Sequence, residues 1–185
     1  MHTTSSQTIG PYLHIGMTWL VDENMAGEGV SGERITLAGR MTDADGTPVN
    51  DAMIEIWQAN AHGKYAHPED ARDLPVEKGF TGFGRVYTDE DGRFRVQTIK
   101  PGRVPGPDGT PQAPHLNITI FMRGLLKHLI TRVYFPDEDN AGDAVLSRVP
   151  AERRSTLVAG AGTKRGQLEW NVVLQGGDET VFFDY

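Results

Sequence analysis

Several short runs of this chain alternate strictly between apolar and polar residues, and no segment repeats its apolar residues every three to four positions over a helical length. That pattern excludes a helical bundle and a doubly wound α/β fold. His115 to Phe121 is the clearest case. His115, Asn117 and Thr119 fall on one face of a predicted strand, and Leu116, Ile118 and Ile120 on the other. Ala52 to Gln58 divides in the same way, with Met53, Glu55 and Trp57 opposed to Ile54 and Ile56. Ile35–Met41, Arg85–Thr88, Arg93–Ile99, Leu129–Phe135, Leu168–Leu174 and Thr180–Phe183 complete the predicted strands.

Turn signals separate these runs. Thr42-Asp-Ala-Asp-Gly46 and Thr88-Asp-Glu-Asp-Gly92 echo each other, and Asp91-Gly92 between two strands signals a hairpin. Both are read as hairpins of one sandwich. Neither is a calcium loop, because the EF-hand pattern needs an acid where Met41 and Tyr87 stand. Residues 1–34 show no strand pattern and read as irregular. Lys100–Pro114 holds five prolines and three glycines and reads as a long structured loop, a frequent carrier of function. Pro150–Val158 reads as one short helix. The predicted fold is all-β: an antiparallel β-sandwich with long loops and little helix, in a single domain over residues 1–185.

Composition narrows the function. There is no cysteine, so disulfides, thiolate metal sites and a cysteine nucleophile are excluded. The net charge of -7 argues against nucleic acid as a partner. No apolar run approaches the ~20 residues of a membrane span. Met1–Gly10 lacks the basic start and apolar run of a secretory leader, so the expected location is cytoplasmic. Phosphate loops, Gly-x-Ser-x-Gly and His-Glu-x-x-His are all missing.

Three runs carry a family resemblance. They are Ile54-Glu-Ile-Trp-Gln-Ala-Asn-Ala-His-Gly-Lys-Tyr65, Phe83-Gly-Arg-Val-Tyr-Thr-Asp-Glu-Asp-Gly-Arg-Phe-Arg-Val-Gln-Thr-Ile-Lys-Pro-Gly102, and Pro114-His-Leu-Asn117 leading to Leu129-Ile-Thr-Arg-Val-Tyr-Phe135. In this order they resemble the intradiol ring-cleaving dioxygenases, non-haem ferric enzymes that open catechols between the two hydroxyls. The ends, Ser6-Gln-Thr-Ile-Gly-Pro-Tyr-Leu-His-Ile-Gly16 and Glu179-Thr-Val-Phe-Phe-Asp-Tyr185, resemble the iron-free chain of a two-chain member. The helical dimerisation segment of single-chain members has no counterpart here. The resemblance implies a β-sandwich of the intradiol type.

The resemblance also implies how this chain departs from the iron-binding pattern. Family members hold ferric iron with two tyrosines and a His-x-His pair. Hard Fe(III) favours phenolate oxygen, and His-x-His on a strand aims both rings one way. The corresponding positions here are Arg72, Val104, His115 and Asn117, and an expected arginine before the pair is Gln112. The implied site is vestigial: no metal is bound by this chain, and Fe(III) belongs to a homologous iron-binding β chain. The implied role is a non-iron subunit, with no catalytic residue of its own, of an enzyme that cleaves 3,4-dihydroxybenzoate with O2 to 3-carboxy-cis,cis-muconate. Thr8, Gly10 and Pro11, in the Thr-x-Gly-Pro run, and Arg123, in Phe-Met-Arg-Gly124, are the implied substrate-lining residues. The 1–34 segment is expected to pack on the partner. Two other readings stay open on the residues alone: an autonomous metalloenzyme with an atypical site, and a non-catalytic β-sandwich binding module.

Overall fold

The computed structural model describes residues 8–184 except Pro107. The first seven residues of the predicted N-terminal segment, and the terminal Tyr185, lie outside the described residues. The strands are β1 Arg34–Thr42, β2 Met53–Trp57, β3 Phe83–Tyr87, β4 Arg93–Ile99, β5 Val104–Pro105, β6 Pro111–Gln112, β7 His115–Phe121, β8 Leu129–Tyr134, β9 Gly160–Ala161, β10 Gln167–Glu169 and β11 Val172–Val173. A four-stranded sheet runs β3-β2-β7-β8, antiparallel throughout. The second sheet is built on β1. Antiparallel β4 lies on one edge, and β10 and β11 run parallel along the other, with β9 outside β10. The Pro-rich loop contains a small ribbon, β5–β6.

The two sheets bury their apolar faces against each other. Ile35, Leu37, Phe94 and Val96 from one meet Ile54, Ile56, Val86, Leu116, Ile118 and Ile120 from the other. All ten are buried, and each such side chain contributes roughly 1.5–3 kcal/mol. This is the all-β sandwich that the alternation predicts.

The two Asp-Gly turns are not hairpins. β1 and β2 lie in different sheets, and so do β3 and β4. Locally the turns do match. Asp43 Oδ1 accepts the N–H groups of Asp45 and Thr47, and Asp89 Oδ1 those of Asp91 and Arg93. Gly46 and Gly92 take φ of +78° and +74°, the left-handed region that favours glycine. Each turn closes on itself and so leaves the pairing of its flanking strands open. Burial decides that pairing: crossing between sheets sets the two apolar faces against one another, which a flat hairpin does not do.

Other segments also depart from expectation. Pro11–Met17 forms a short helix, α1, with Pro11 at its first turn, and Thr18–Leu20 continues as a 3₁₀ turn. Seven residues are too few to show a helical period. Residues 22–26 do not stand away for a partner. They bridge β3 and β4, the edges of the two sheets: Asp22 exchanges backbone bonds with Arg85, and Met25 N–H donates to Gln97 O at 3.0 Å. Met25, Ala26 and Val30 are buried, and the sheet edges gain hydrogen-bond partners. Leu168–Leu174 breaks into β10 and β11 at Trp170-Asn171, where Asn171 Oδ1 accepts the Arg40 N–H at 2.9 Å. Among the described residues, Thr180–Phe183 forms no named strand and is joined to β8 by the bridge of Phe183 to Ile130. The predicted helix over 150–158 is a 3₁₀ segment, Ala151–Leu157.

Gly39 on β1 shows how closely the second sheet is packed. A Cβ there would lie 1.8 Å from the Trp170 carbonyl oxygen and 2.8 Å from Phe94 Cζ. The backbone of a neighbouring strand cannot move aside cheaply. Gly39→Ala is therefore expected to destabilise the chain by about 3 kcal/mol, at the upper end of overpacking costs. Urea unfolding of the full-length chain checks this, and an unchanged midpoint would contradict it.

Candidate functional site

The outer face of the four-stranded sheet carries the side chains that alternation turns away from the core. In register, Asn117 on β7 stands between Trp57 on β2 and Arg132 on β8, and His115 stands opposite Tyr134. The loop after β2 folds over this end. Tyr65 stacks on Trp57 with ring centroids 5.8 Å apart and planes 6° from parallel, and His67 meets Trp57 edge-on at 6.2 Å. Together with Arg72, Val104 and Pro105 they line an open cleft of about 830 Å³. Of the four implied ligand positions, Arg72 and Val104 line this cleft, Asn117 reaches its Tyr65 wall, and His115 lies beside Tyr134 on the same face of the sheet.

Their chemistry does not fit ferric iron. The Arg72 guanidinium is fastened to the Asp70 carboxylate, Nε to Oδ1 at 2.8 Å and Nη2 to Oδ2 at 2.5 Å, and to Gly63 O at 2.7 Å. These bonds hold the Asp70 carboxyl well below the usual carboxylate range. Val104 offers no donor atom. Asn117 Nδ2 donates to Trp57 O at 3.3 Å. His115 is buried, with Nδ1 2.8 Å from Ala113 O. Burial, with help from the nearby Arg132 cation, pushes its pKa down to about 4. One neutral imidazole and an amide make a poor set for a hard trivalent ion, and two guanidinium groups repel it. Among the described residues no cluster of three or more His, Asp or Glu could hold a metal.

Three residues that the sequence reading passed over organise this end. Arg132 Nη1 donates to Gln112 Oε1 at 2.7 Å, so the glutamine that stands at the expected arginine position receives a cation from β8. Asp143 is buried. It accepts from Ala113 N–H, Tyr134 O–H, Val145 N–H and Leu146 N–H. Burial works to raise its pKa, but these bonds outweigh burial and hold it low. It clamps the segment 143–146 over the start of β7. Tyr65, inside one of the quoted runs, supplies the stack; burial raises its phenol pKa. The sequence signals for Arg132 are its place on an outward strand position and inside the run Leu129–Phe135.

The implied substrate-lining residues gather at the other end of β7, about 20 Å away by strand rise. Arg123 follows β7 and precedes Gly124, which takes φ of +85°. Arg123 Nε donates to Asp51 Oδ2. Gly124 N–H donates to Thr8 Oγ1 at 3.1 Å, which fastens the N-terminal segment to this turn. Gly10, Leu13, Ile15, Asp51, Tyr87 and Arg123 line a small pocket of about 190 Å³. Thr8, Gly10 and Arg123 are therefore brought together, and Pro11 begins α1 on the same segment, though its side chain lies outside the described residues. Gly10 has φ of -85°, and a Cβ would meet nothing within 4 Å. Nothing among the described residues requires its missing side chain. Asp51 was not singled out, because nothing local marks it.

Known proteins resemble the chain along nearly its whole length. A dioxygenase family model matches residues 18–176. The protocatechuate 3,4-dioxygenase alpha chain of Burkholderia cepacia is 44% identical, over 98% of this chain and 96% of that one. The protocatechuate 3,4-dioxygenase beta chain of the same organism is 38% identical, over 80% of this chain and 67% of that one. The solved hydroxyquinol 1,2-dioxygenase of Pseudomonas putida DLL-E4 shares the fold, with a TM-score of 0.64 at 24% identity, over 94% of this chain and 67% of that one. No helix among the described residues is long and apolar enough to cross a membrane.

His115 makes a pH prediction. Its folded pKa, about 4, lies below the unfolded value near 6.5, so the unfolded chain binds the extra proton between the two. Stability present above pH 6.5 is lost as pH falls toward 4, by at most about 3 kcal/mol. His115→Gln should flatten that part of the stability–pH curve. Urea midpoints taken between pH 7 and pH 4 test this, and equal slopes for both proteins would contradict it.

Proposed function

Because this chain belongs to the intradiol ring-cleaving dioxygenase family, we propose that it is the non-iron α subunit of a protocatechuate 3,4-dioxygenase. The assembled enzyme cleaves 3,4-dihydroxybenzoate with O2 to 3-carboxy-cis,cis-muconate, and the ferric ion sits on a homologous β chain. The observation that carries the reading is a donor set that cannot hold iron, in a chain that keeps the family fold. Arg72, Val104 and Asn117 occupy three ligand positions, and the first is already saturated by Asp70 and Gly63.

Two further observations support a partner. Tyr12, Ile15 and Trp19 are 83%, 68% and 77% exposed, and Leu126 is 71% exposed. Large apolar side chains concentrated on one segment mark an interaction surface. The N-terminal segment up to Leu20, rather than the whole of 1–34, is then the part that lies along the β chain. Gly10 presents bare backbone from that segment, suited to close approach by something outside this chain. In this reading Thr8, Gly10 and Pro11 form one wall of the substrate pocket at the α–β interface. Arg123 provides a permanent cation for the substrate carboxylate. The location is cytoplasmic.

The chain purified alone is expected to contain no iron and to show no phenolate-to-iron charge-transfer band. Co-expression with an iron-bearing β chain should yield a complex with both, and with oxygen uptake on protocatechuate. Stoichiometric iron in the chain alone would overturn the reading.

Arg123→Ala in the assembled enzyme should raise KM for protocatechuate about tenfold, with iron content unchanged. Asp51 already neutralises part of the guanidinium charge, so a larger loss is not expected. A neutral catechol should be affected less, and Arg123→Lys should recover part of the loss. Unaltered protocatechuate kinetics in Arg123→Ala would reduce this residue to a surface arginine.

A further inference from the structure

Arg123 follows a strand end on a turn, and its side chain is 68% exposed. A long side chain in that position samples many rotamers, and fixing it when a ligand binds costs conformational entropy. Asp51 restrains it. Its Oδ2 accepts from Arg123 Nε, and the Arg123 backbone N–H points at the same oxygen at 3.4 Å. One carboxylate oxygen thus meets both ends of the residue. Neither terminal nitrogen, Nη1 nor Nη2, has a partner among the described residues. The guanidinium is held by its Nε side, and its terminal fork is open.

The mount is rigid. Asp51 stands two residues before β2, and Ala52, between it and the strand, is buried and hydrogen-bonded to Thr88. Ala52 N–H donates to Thr88 Oγ1 at 3.0 Å, and Ala52 O accepts Thr88 N–H at 3.0 Å. Asp51 is only 21% exposed, and it lines the same small pocket as Arg123 and Gly10. The Thr8 hydroxyl holds the next residue of the turn, Gly124, through its N–H.

Resting on the reading of Arg123 given under Proposed function, we propose that Asp51 is a positioning residue, one that grips the Arg123 guanidinium by Nε and presents its two terminal nitrogens as a fork to the carboxylate of an aryl-carboxylate substrate. Asp51 trades charge for orientation. Its negative charge weakens the long-range attraction of the turn for an anion, while its fixed geometry prepares the bidentate contact that carboxylates favour.

The test uses the assembled α–β enzyme and reads the ratio of kcat/KM for 3,4-dihydroxybenzoate over that for 4-methylcatechol, a neutral catechol. Asp51→Ala should lower this ratio about fivefold, chiefly through KM for the carboxylate, with iron content and the neutral substrate little changed. In an Arg123→Ala background the same substitution should lower it no further, because Asp51 acts through Arg123. Asp51→Asn keeps an acceptor oxygen and should hold the ratio within about threefold of the parent. Should Asp51→Ala fail to assemble, Asp51→Ser, whose hydroxyl stops short of Nε, replaces it in the cycle with the same expectations. An unchanged ratio in Asp51→Ala or Asp51→Ser, while Arg123→Ala lowers it, overturns the proposal. So does a drop that persists at full size without Arg123, or an Asn variant as poor as Ala. A ratio that Arg123→Ala leaves unchanged removes the reading of Arg123 instead, and is told apart by that single variant.

Discussion

Leu116, Ile118 and Ile120 of β7 lie between the two sheets, shielded from water, against Ile54 and Ile56 of β2. A shift of one residue in the pairing would turn this whole row outward and bring His115 and Asn117 into the core. The cost of burying an imidazole and an amide without partners adds to the lost apolar burial, so the register is strongly determined. Everything on the outer face follows from it. Trp57, Asn117 and Arg132 share one row and His115 and Tyr134 the next, because the inward residues leave no other arrangement. At the far end of β7 the same register delivers Arg123 to Asp51, just before β2.

The end of the sheet where the family resemblance implies a ferric site carries a set of polar pairs in this chain. Arg72 pairs with Asp70, Arg132 with Gln112, His115 with Ala113, and Tyr134 with Asp143. Most of these groups find a partner within the chain, although the buried Nε of Arg132 has none among the described residues. The pairs secure the loop after β2 and the segment 143–146. Asp143 alone collects four hydrogen bonds there.

The opposite end is built in the reverse manner. Arg123, Gly10 and the apolar side chains of α1 face outward, and few of them find partners in this chain. A Cβ on Gly10 would meet nothing within 4 Å, Trp19 and Tyr12 are largely in solvent, and among the described residues Arg123 is held by one side only. Internally paired polar groups stabilise a fold, whereas open donors beside exposed apolar surface form a region that a second molecule completes. The proposed division of labour between two homologous chains has its physical basis in this contrast between the ends of one strand.

Alternation by twos was legible in the sequence because it is a local property, and it placed β1, β2, β4, β7 and β8 and the faces of His115 and Asn117. The mismatch of Arg72, Val104 and Asn117 with a ferric site was legible too, since side-chain chemistry needs no coordinates. The partners of the strands were not. Thr42–Gly46 and Thr88–Gly92 have the residues of hairpin turns and their local hydrogen bonds, yet they join different sheets, because the free energy of closing the core is summed over both faces and no five-residue window contains it. Residues 22–26 show no strand pattern but seal two sheet edges, which exist only after the sandwich has formed. Arg132 and Asp51 drew no notice for the same reason: their partners Gln112 and Arg123 lie 20 and 72 residues away, and Asp143 likewise reaches Ala113 across 30 residues. The sequence by itself determined which residues point in or out. Only the tertiary structure decided which distant groups meet, because those contacts are set by packing one sheet on the other.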